Sequence, residues 1–125
     1  MSHSDYVSSV AIYREVVSKG YSFYTLVAAF NQYARFETAV PEEELVLEDV
    51  LRSRTFPTFE IANAINVFAA LQTMRPTYSA LLMVLLRLSD TDNTAEIQRK
   101  YPYVFQEARA RYNAPGGFLA DEVPF

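Results

Sequence analysis

Apolar residues along this chain recur mainly three or four positions apart, which is the spacing of one face of an α-helix. In the first segment this spacing produces the inner stripe Tyr6, Val10, Tyr13 and Val17. No stretch shows the strict alternation of apolar and polar residues that is typical of a half-buried strand. Prolines, glycines and short polar turns divide the pattern into six or seven helices, at about 4–19, 22–38, 41–54, 57–75, 77–89, 93–101 and 103–112.

Two segments are apolar on more than one face. Residues 80–86 carry no polar side chain, so this stretch is expected to form the buried central helix. The second helix carries Phe23, Val27, Phe30 and Ala34 on one face and Tyr21, Tyr33 and Phe36 on others. A helix of this kind is expected to lie centrally or at an interface between copies.

The remaining helices have one clear inner stripe or a recognisable start. In the fourth helix the predicted stripe is Ile61, Ala64, Ile65, Phe68 and Leu71. Pro41 suits the first turn of the third helix, and Asn93 followed by Glu96 resembles a capping box at the start of the sixth. The sequence therefore predicts an all-α, compact single-domain bundle of six to seven short helices over residues 1–113, followed by a C-terminal tail over residues 114–125.

Composition is consistent with this fold and also bears on the cellular compartment of the protein. Half of the 125 residues are apolar and 21% are charged, which is usual for a globular domain. The absence of cysteine excludes disulfides, thiolate metal sites and cysteine nucleophiles. The longest apolar run is far shorter than the roughly 20 residues that span a bilayer, and no secretion signal opens the chain. We therefore expect a cytoplasmic protein without a membrane partner.

Residues suited to catalysis are sparse. The single histidine is His3, and no glycine-rich phosphate loop occurs. Five carboxylates cluster in the third helix, Glu42, Glu43, Glu44, Glu48 and Asp49, where a solvated helix start explains them better than a cation site. We therefore expect no enzymatic activity, no cofactor and no metal site.

The stretch from 98 to 112 is the clearly basic part of a chain whose net charge is −4. Its cations and rings could contact single-stranded DNA, with arginines on phosphates and rings stacked on bases. The predicted nucleic-acid residues are Arg99, Lys100, Tyr101, Tyr103, Arg109, Arg111 and Tyr112. The same rings could instead fill a helical core.

Two alternatives place the interaction elsewhere. Residues 81–88, 94–101 and 103–112 could form a helix-turn-helix regulator of duplex DNA, whose recognition helix would expose Gln106, Arg109 and Arg111. A self-associating structural or assembly protein would instead form an oligomer through the second helix. Tyr21, Tyr33 and Phe36 would then be buried at the contact.

The last five residues carry the most specific signal. Asp121, Glu122, Val123, Pro124 and Phe125 form a sequence of two acids, a branched aliphatic, proline and a final phenylalanine. This order resembles the C-terminal tip of bacterial single-stranded DNA-binding protein (SSB), which in that family docks on replication, recombination and repair proteins. The resemblance covers the tip alone, because the DNA-binding part of SSB is a β-barrel. It implies partners that recognise the SSB tip, and it suits an accessory protein of phage or mobile-element DNA metabolism. The alternatives are a tail that folds back on its own helices and a disordered end without a role.

Overall fold

The computed structural model describes residues 3–112 and Ala114, and it confirms the all-α prediction. Seven α-helices and a short 3-10 turn follow one another, and no strand occurs in this described part of the chain. The helices are α1 (His3–Lys19), α2 (Phe23–Glu37), α3 (Glu48–Ser53), α4 (Thr58–Met74), α5 (Tyr78–Leu88), α6 (Thr91–Lys100) and α7 (Pro102–Tyr112). The 3-10 turn, Glu42–Glu44, lies between α2 and α3.

The central helix of the bundle is α5, as its uninterrupted apolar run predicts. Each residue from Ala80 to Leu85 is 3% exposed or less. Helices α1, α2, α6 and α7 all pack against it. The side-chain oxygen of Thr77 caps its start by accepting a hydrogen bond from the backbone nitrogen of Ala80 at 3.2 Å. Four helices are thus arranged around a capped helix whose middle residues are all apolar.

Helices α2 and α4 lie side by side and run in the same direction. Near their starts, Ser22 Oγ donates to Glu60 Oε1 at 3.2 Å. Near their ends, Gln72 Nε2 donates to Glu37 Oε1 at 3.3 Å. Helix α4 packs mainly against α2, which places it at the periphery of the bundle.

The prediction of one helix from 41 to 54 was wrong. The 3-10 turn and α3 are separated by Leu45, Val46 and Leu47, which are 0–2% exposed. Consecutive residues of an α-helix point in different directions, so a peripheral helix could not bury all three. Leu47 adopts a left-handed conformation with φ of 63°, and this change of direction leads into α3.

Buried hydrogen bonds hold this non-helical segment against α2 and α5. Asn31 Nδ2 donates to the carbonyl of Val46 at 2.7 Å and to Glu48 Oε1 at 3.0 Å. The Tyr78 hydroxyl donates to Asn31 Oδ1 at 2.7 Å and accepts from the backbone nitrogen of Val46 at 3.1 Å. Both backbone groups of Val46 are therefore satisfied by side chains, as buried backbone requires.

Replacing Tyr78 with phenylalanine should lower the free energy of unfolding by about 1–3 kcal/mol, because it leaves Asn31 Oδ1 and the Val46 N–H without partners. Burial also raises the pKa of Tyr78 above its ordinary value of 10. The folded state therefore keeps a proton that the unfolded state loses above pH 10, and the free energy of unfolding falls as pH rises.

Urea unfolding at neutral pH and above pH 10 measures both effects. The Tyr78→Phe variant should lose less stability than the parent protein between the two conditions. Tyr103→Phe is the matched control, because Tyr103 is 83% exposed and should change neither value. Equal stability of the Tyr78→Phe variant and the parent at neutral pH would contradict the role given to this network.

Three further expectations about helix faces and starts need correction. The most buried residues of α1 are Ser9, Ile12 and Val16, whereas the predicted Tyr6, Val10 and Tyr13 are half-buried and the side chain of Val17 lies outside the described structure. Helix α6 begins at Thr91, because Asp90 caps it by accepting from the backbone nitrogen of Asn93 at 2.8 Å. Tyr33 is 3% exposed, so it belongs to the core and does not project from α2.

The inner face of α4 differs in part from the predicted stripe. Leu71 is buried, and Ala64 and Phe68 pack against the core, as predicted. Ile61 and Ile65, however, are 49% and 63% exposed, and Glu60 and Val67 are buried in their place. Apolar residues occur on several sides of α4, so the spacing of apolar residues in the sequence could not determine which side packs against α2.

Candidate basic cleft and exposed apolar face

Lys100 and Tyr101, two of the residues predicted to contact nucleic acid, bind the protein's own backbone. Lys100 Nζ donates to the carbonyl of Leu45 at 2.9 Å, and the Tyr101 hydroxyl donates to the carbonyl of Glu44 at 2.6 Å. Burial and the nearby carboxylate of Glu44 raise the pKa of Tyr101 to about 12. These two side chains fasten the end of α6 to the 3-10 turn and to Leu45, which follows it.

Arg111 is buried, contrary to the prediction that it contacts nucleic acid from the surface. Its side chain is 1% exposed, and Nε donates to Glu107 Oε2 at 3.0 Å. The guanidinium carbon lies 5.3 Å from the centre of the Tyr6 ring. Packing against α1 and pairing within α7 explain this burial, and both the single-strand and the helix-turn-helix predictions lose an exposed arginine.

The other four predicted residues are exposed but do not form one surface. Tyr103 and Tyr112 are 83% and 77% exposed, yet they lie near opposite ends of α7. Nine residues along a helix also correspond to a rotation of about 180°, so the two rings point to opposite sides. Arg99 lies 3.6 Å from Glu96 on α6, and Arg109 is exposed on α7.

Two of the predicted arginines, Arg109 and Arg111, lie near Arg87 of α5 in recesses between α7 and its neighbours α1, α5 and α6. Two adjoining recesses of about 240 and 320 Å³ share Arg87, Ala108 and Tyr112 in their walls. Arg111 and Tyr6 line the first recess, and Arg109 and Phe105 line the second. We call this pair of recesses, with Arg87, Arg109, Arg111, Tyr6, Phe105 and Tyr112, the basic cleft.

The basic cleft places arginine side chains beside aromatic rings, although Arg111 is buried and paired with Glu107. Guanidinium groups match phosphate and carboxylate oxygens, and rings offer faces on which planar groups stack. Arg87 itself lies over the Tyr13 ring, 4.3 Å from its centre. Sequence reasoning missed Arg87 because it lies outside the basic stretch. Its position in the last turn of the central helix was the available signal, since that end of α5 meets α7.

A second surface feature is an apolar face on α4 that no part of the described structure covers. Its outward side consists of Thr58, Ala62, Ile65, Ala69 and Gln72, all exposed. Phe59 and Ile61 flank this stripe and are 66% and 49% exposed. A recess of about 430 Å³ adjoins it, between α2 and α4, with Ala28, Gln32, Ala64 and Phe68 among its lining residues. We call these seven α4 residues and the adjoining recess the apolar face.

A buried ion pair anchors the start of α4 beneath this face. Glu60 is 6% exposed, and both of its carboxylate oxygens lie 3.0 Å from Arg54 Nη2. The Arg54 guanidinium packs beside the rings of Tyr24 and Phe56, at 4.8 and 5.3 Å from their centres. This arrangement fixes the position of α4 relative to α2 and therefore shapes the recess between them.

Comparisons with known proteins identify no relative. No protein family, characterised protein or solved structure matches this chain. None of the described helices has the length and apolar character needed to cross a membrane. Across residues 3–112 and Ala114, no three carboxylate, imidazole or thiolate groups are arranged to hold a metal ion. The predicted docking residues Asp121, Glu122, Val123, Pro124 and Phe125 lie outside the described residues.

Proposed function

We propose that this chain is an accessory protein of DNA metabolism whose tip, residues 121–125, docks on proteins that recognise the SSB tip. The order of side chains in the tip carries this proposal: two acids, a branched aliphatic, proline and phenylalanine. Asp121 follows Ala114 by seven positions, and a fully extended chain of that length spans at most roughly 23 Å. The tip can therefore reach a partner while the helical body remains beside it. A phage or mobile-element origin would suit such a role.

Four residues of the tip have a physical part in docking. Phe125 offers a ring to an apolar pocket, and a free α-carboxylate on the same residue would pair with a basic lip. Pro124 restricts the chain before binding and lowers the entropy cost of ordering it. Asp121 and Glu122 attract a basic rim, which raises the association rate at low salt.

The experiment is a displacement titration with a purified protein that recognises the SSB tip. A fluorescent peptide of the SSB tip is bound first, and this chain is then added. We expect full displacement of the peptide, since both tips would occupy one pocket. A chain extended by two residues after Phe125 is the control, because it moves the carboxylate away from the ring. No displacement by the unextended chain would overturn the proposal.

We propose single-stranded DNA as a second ligand, bound at the basic cleft. The meeting of Arg87 and Arg109 with the exposed ring of Tyr112 at one recess favours this function. The arginines would pair with phosphates while the ring stacks on a base. The site differs from the predicted basic stretch because Arg87 joins it and because Lys100 and Tyr101 bind the 3-10 turn.

The double variant Arg87→Ala/Arg109→Ala should bind a labelled oligothymidine about tenfold more weakly at low salt, because two phosphate contacts are lost. Fluorescence anisotropy at several salt concentrations measures the affinity and its salt dependence. Arg14→Ala/Arg75→Ala removes the same charge from other exposed positions and should bind like the parent protein. Equal weakening by both double variants would remove the basic cleft as the site. Preference for duplex would instead favour the helix-turn-helix alternative.

A further inference from the structure

Helix α4 combines an apolar sequence with an exposed position. Three of its 17 residues, Glu60, Val67 and Leu71, are buried. By comparison, seven of the 11 residues of α5 are buried. Large apolar side chains therefore remain exposed on this helix, beside polar residues such as Asn66 and Gln72, and exposed apolar patches of this kind mark interaction surfaces. Exposed side chains as large as Phe59 and Ile65 lose a stabilising burial of about 1.5–3 kcal/mol each when they remain in water. The apolar face therefore has the character of an interface.

The spacing along the outward side of α4 indicates a helix as the occupant. Thr58, Ala62, Ile65, Ala69 and Gln72 follow one another at intervals of four, three, four and three residues. This is the spacing by which helices pair in coiled coils, here with the polar Thr58 and Gln72 at its two ends and Ala62, Ile65 and Ala69 between them. The two alanines would allow a second helix to approach closely, and Ile65 between them would project into it. An occupant with the same spacing is available in α4 of another copy.

Charge favours a second copy over a charged partner. From Ile61 to Met74, α4 has no acidic or basic residue. The chain carries a net charge of −4, so most contacts between two copies would bring like charges together. A two-fold contact places the same surface on both sides of the interface. The uncharged apolar face can thus meet itself without repulsion, whereas nucleic acid or an acidic peptide would find no cation there.

The size of the apolar face is sufficient for a modest dimer. The 17 residues of α4 extend over about 25 Å, and the face with its recess is roughly 20 Å wide. Two copies would then bury on the order of 1,000 Å² in total, which reaches the lower limit for specific interfaces.

We propose that two copies of this chain associate through their apolar faces, with the α4 helices antiparallel about a two-fold axis near Ile65. This contact differs from the predicted one through the second helix, where Tyr33 is buried within its own chain. Ala62 of one copy then lies opposite Ala69 of the other. The inference is independent of the proposed docking of the tip.

The test is the mass of the intact chain in solution, measured by sedimentation equilibrium up to about 100 µM, above the micromolar dissociation constants expected for a small interface. The parent protein should have twice the single-chain mass of 14.3 kDa. Ile65→Asp should have the single-chain mass with unchanged helical circular dichroism. Val7→Asp is the matched control, because Val7 is 53% exposed on α1 and should leave the dimer intact. A parent protein that remains at 14.3 kDa overturns the proposal.

A second measurement locates the contact without depending on the Ile65 variant. The chain has no cysteine, so Ala62→Cys/Ala69→Cys introduces the two reactive thiols alone. Seven residues along one helix separate these positions by about 10 Å, too far for a disulfide within a chain. Mild oxidation should therefore produce a covalent dimer. A control with cysteine at the exposed Ala95 of α6 should remain a single chain. Cross-linking of the control but not of the double variant would place the contact elsewhere and contradict the proposed axis.

Discussion

Replacing Arg54 with alanine is expected to lower the free energy of unfolding by about 3 kcal/mol, because it leaves the carboxylate of Glu60 buried without its cation. Glu60 is 6% exposed, and Ser22 at 3.2 Å would be its remaining described hydrogen-bond donor. Arg54 is itself a third exposed, so water can partly replace it, which places the effect at the lower end of the range for broken buried pairs.

Urea unfolding of the variant and the parent at neutral pH measures this loss. Arg52→Ala is the matched control, since Arg52 lies in α3, two residues before Arg54, and pairs with Glu42 on the surface. Both of these side chains are more than half exposed, so removing the pair should cost less than about 1 kcal/mol. Similar losses in the two variants would show that burial of Glu60 does not increase the contribution of its ion pair to the free energy of unfolding.

The pair also predicts the outcome of removing both charges. Arg54 Nε is buried without a hydrogen-bond partner in the described structure, which reduces what the pair contributes to stability. Apolar replacements of similar volume often restore the stability that a single substitution removes. Arg54→Met/Glu60→Leu should therefore be more stable than Arg54→Ala, although it contains more substitutions.

The overall fold could be predicted from the sequence because the strongest patterns have one interpretation. Residues 80–86 are apolar on every side of a helix, which predicts a central position. In the structure they form the middle of α5, whose start is capped by Thr77. Pro102 likewise marked a boundary, and it begins α7 because a first helical residue needs no N–H donor.

Local details depended on contacts between distant residues and could not be predicted. Leu45, Val46 and Leu47 are three consecutive apolar residues, which in the sequence alone could belong to a helix. Their non-helical backbone depends on Asn31 and Tyr78, which form hydrogen bonds with the carbonyl and the N–H of Val46. The buried face of α4 was ambiguous for the same reason. Its inner face includes a carboxylate, Glu60, whose burial depends on Arg54 from the preceding segment.

The candidate nucleic-acid site shows a similar division. A cluster of cations in sequence predicted the region around α7, where Arg109 and Tyr112 do line the basic cleft. Helical rotation, however, separates Tyr103 from Tyr112, and packing against α1 buries Arg111. Arg87 enters the cleft from α5, and no spacing within the basic stretch could have indicated it.

Deleting Phe125 is expected to weaken docking on an SSB-tip-recognising protein about thirty- to 150-fold. Burying a phenylalanine ring is worth about 2–3 kcal/mol, and each 1.4 kcal/mol corresponds to tenfold in affinity. The deletion also moves the carboxylate to Pro124, which has no aromatic ring to fill the pocket. Stability should not change by a comparable amount if the ring acts on a partner.

The most direct measurement is a calorimetric titration of one SSB-tip-recognising protein with the intact chain and with the Phe125-deleted chain. The proposal predicts saturable binding by the intact chain, competition by a peptide of the SSB tip, and the loss of affinity given above. Asn113→Ala, which changes a polar residue before the tail, should bind like the intact chain. Equal affinity of the intact and the deleted chains, or binding that the SSB-tip peptide does not displace, would contradict the central claim that this protein docks through its tip.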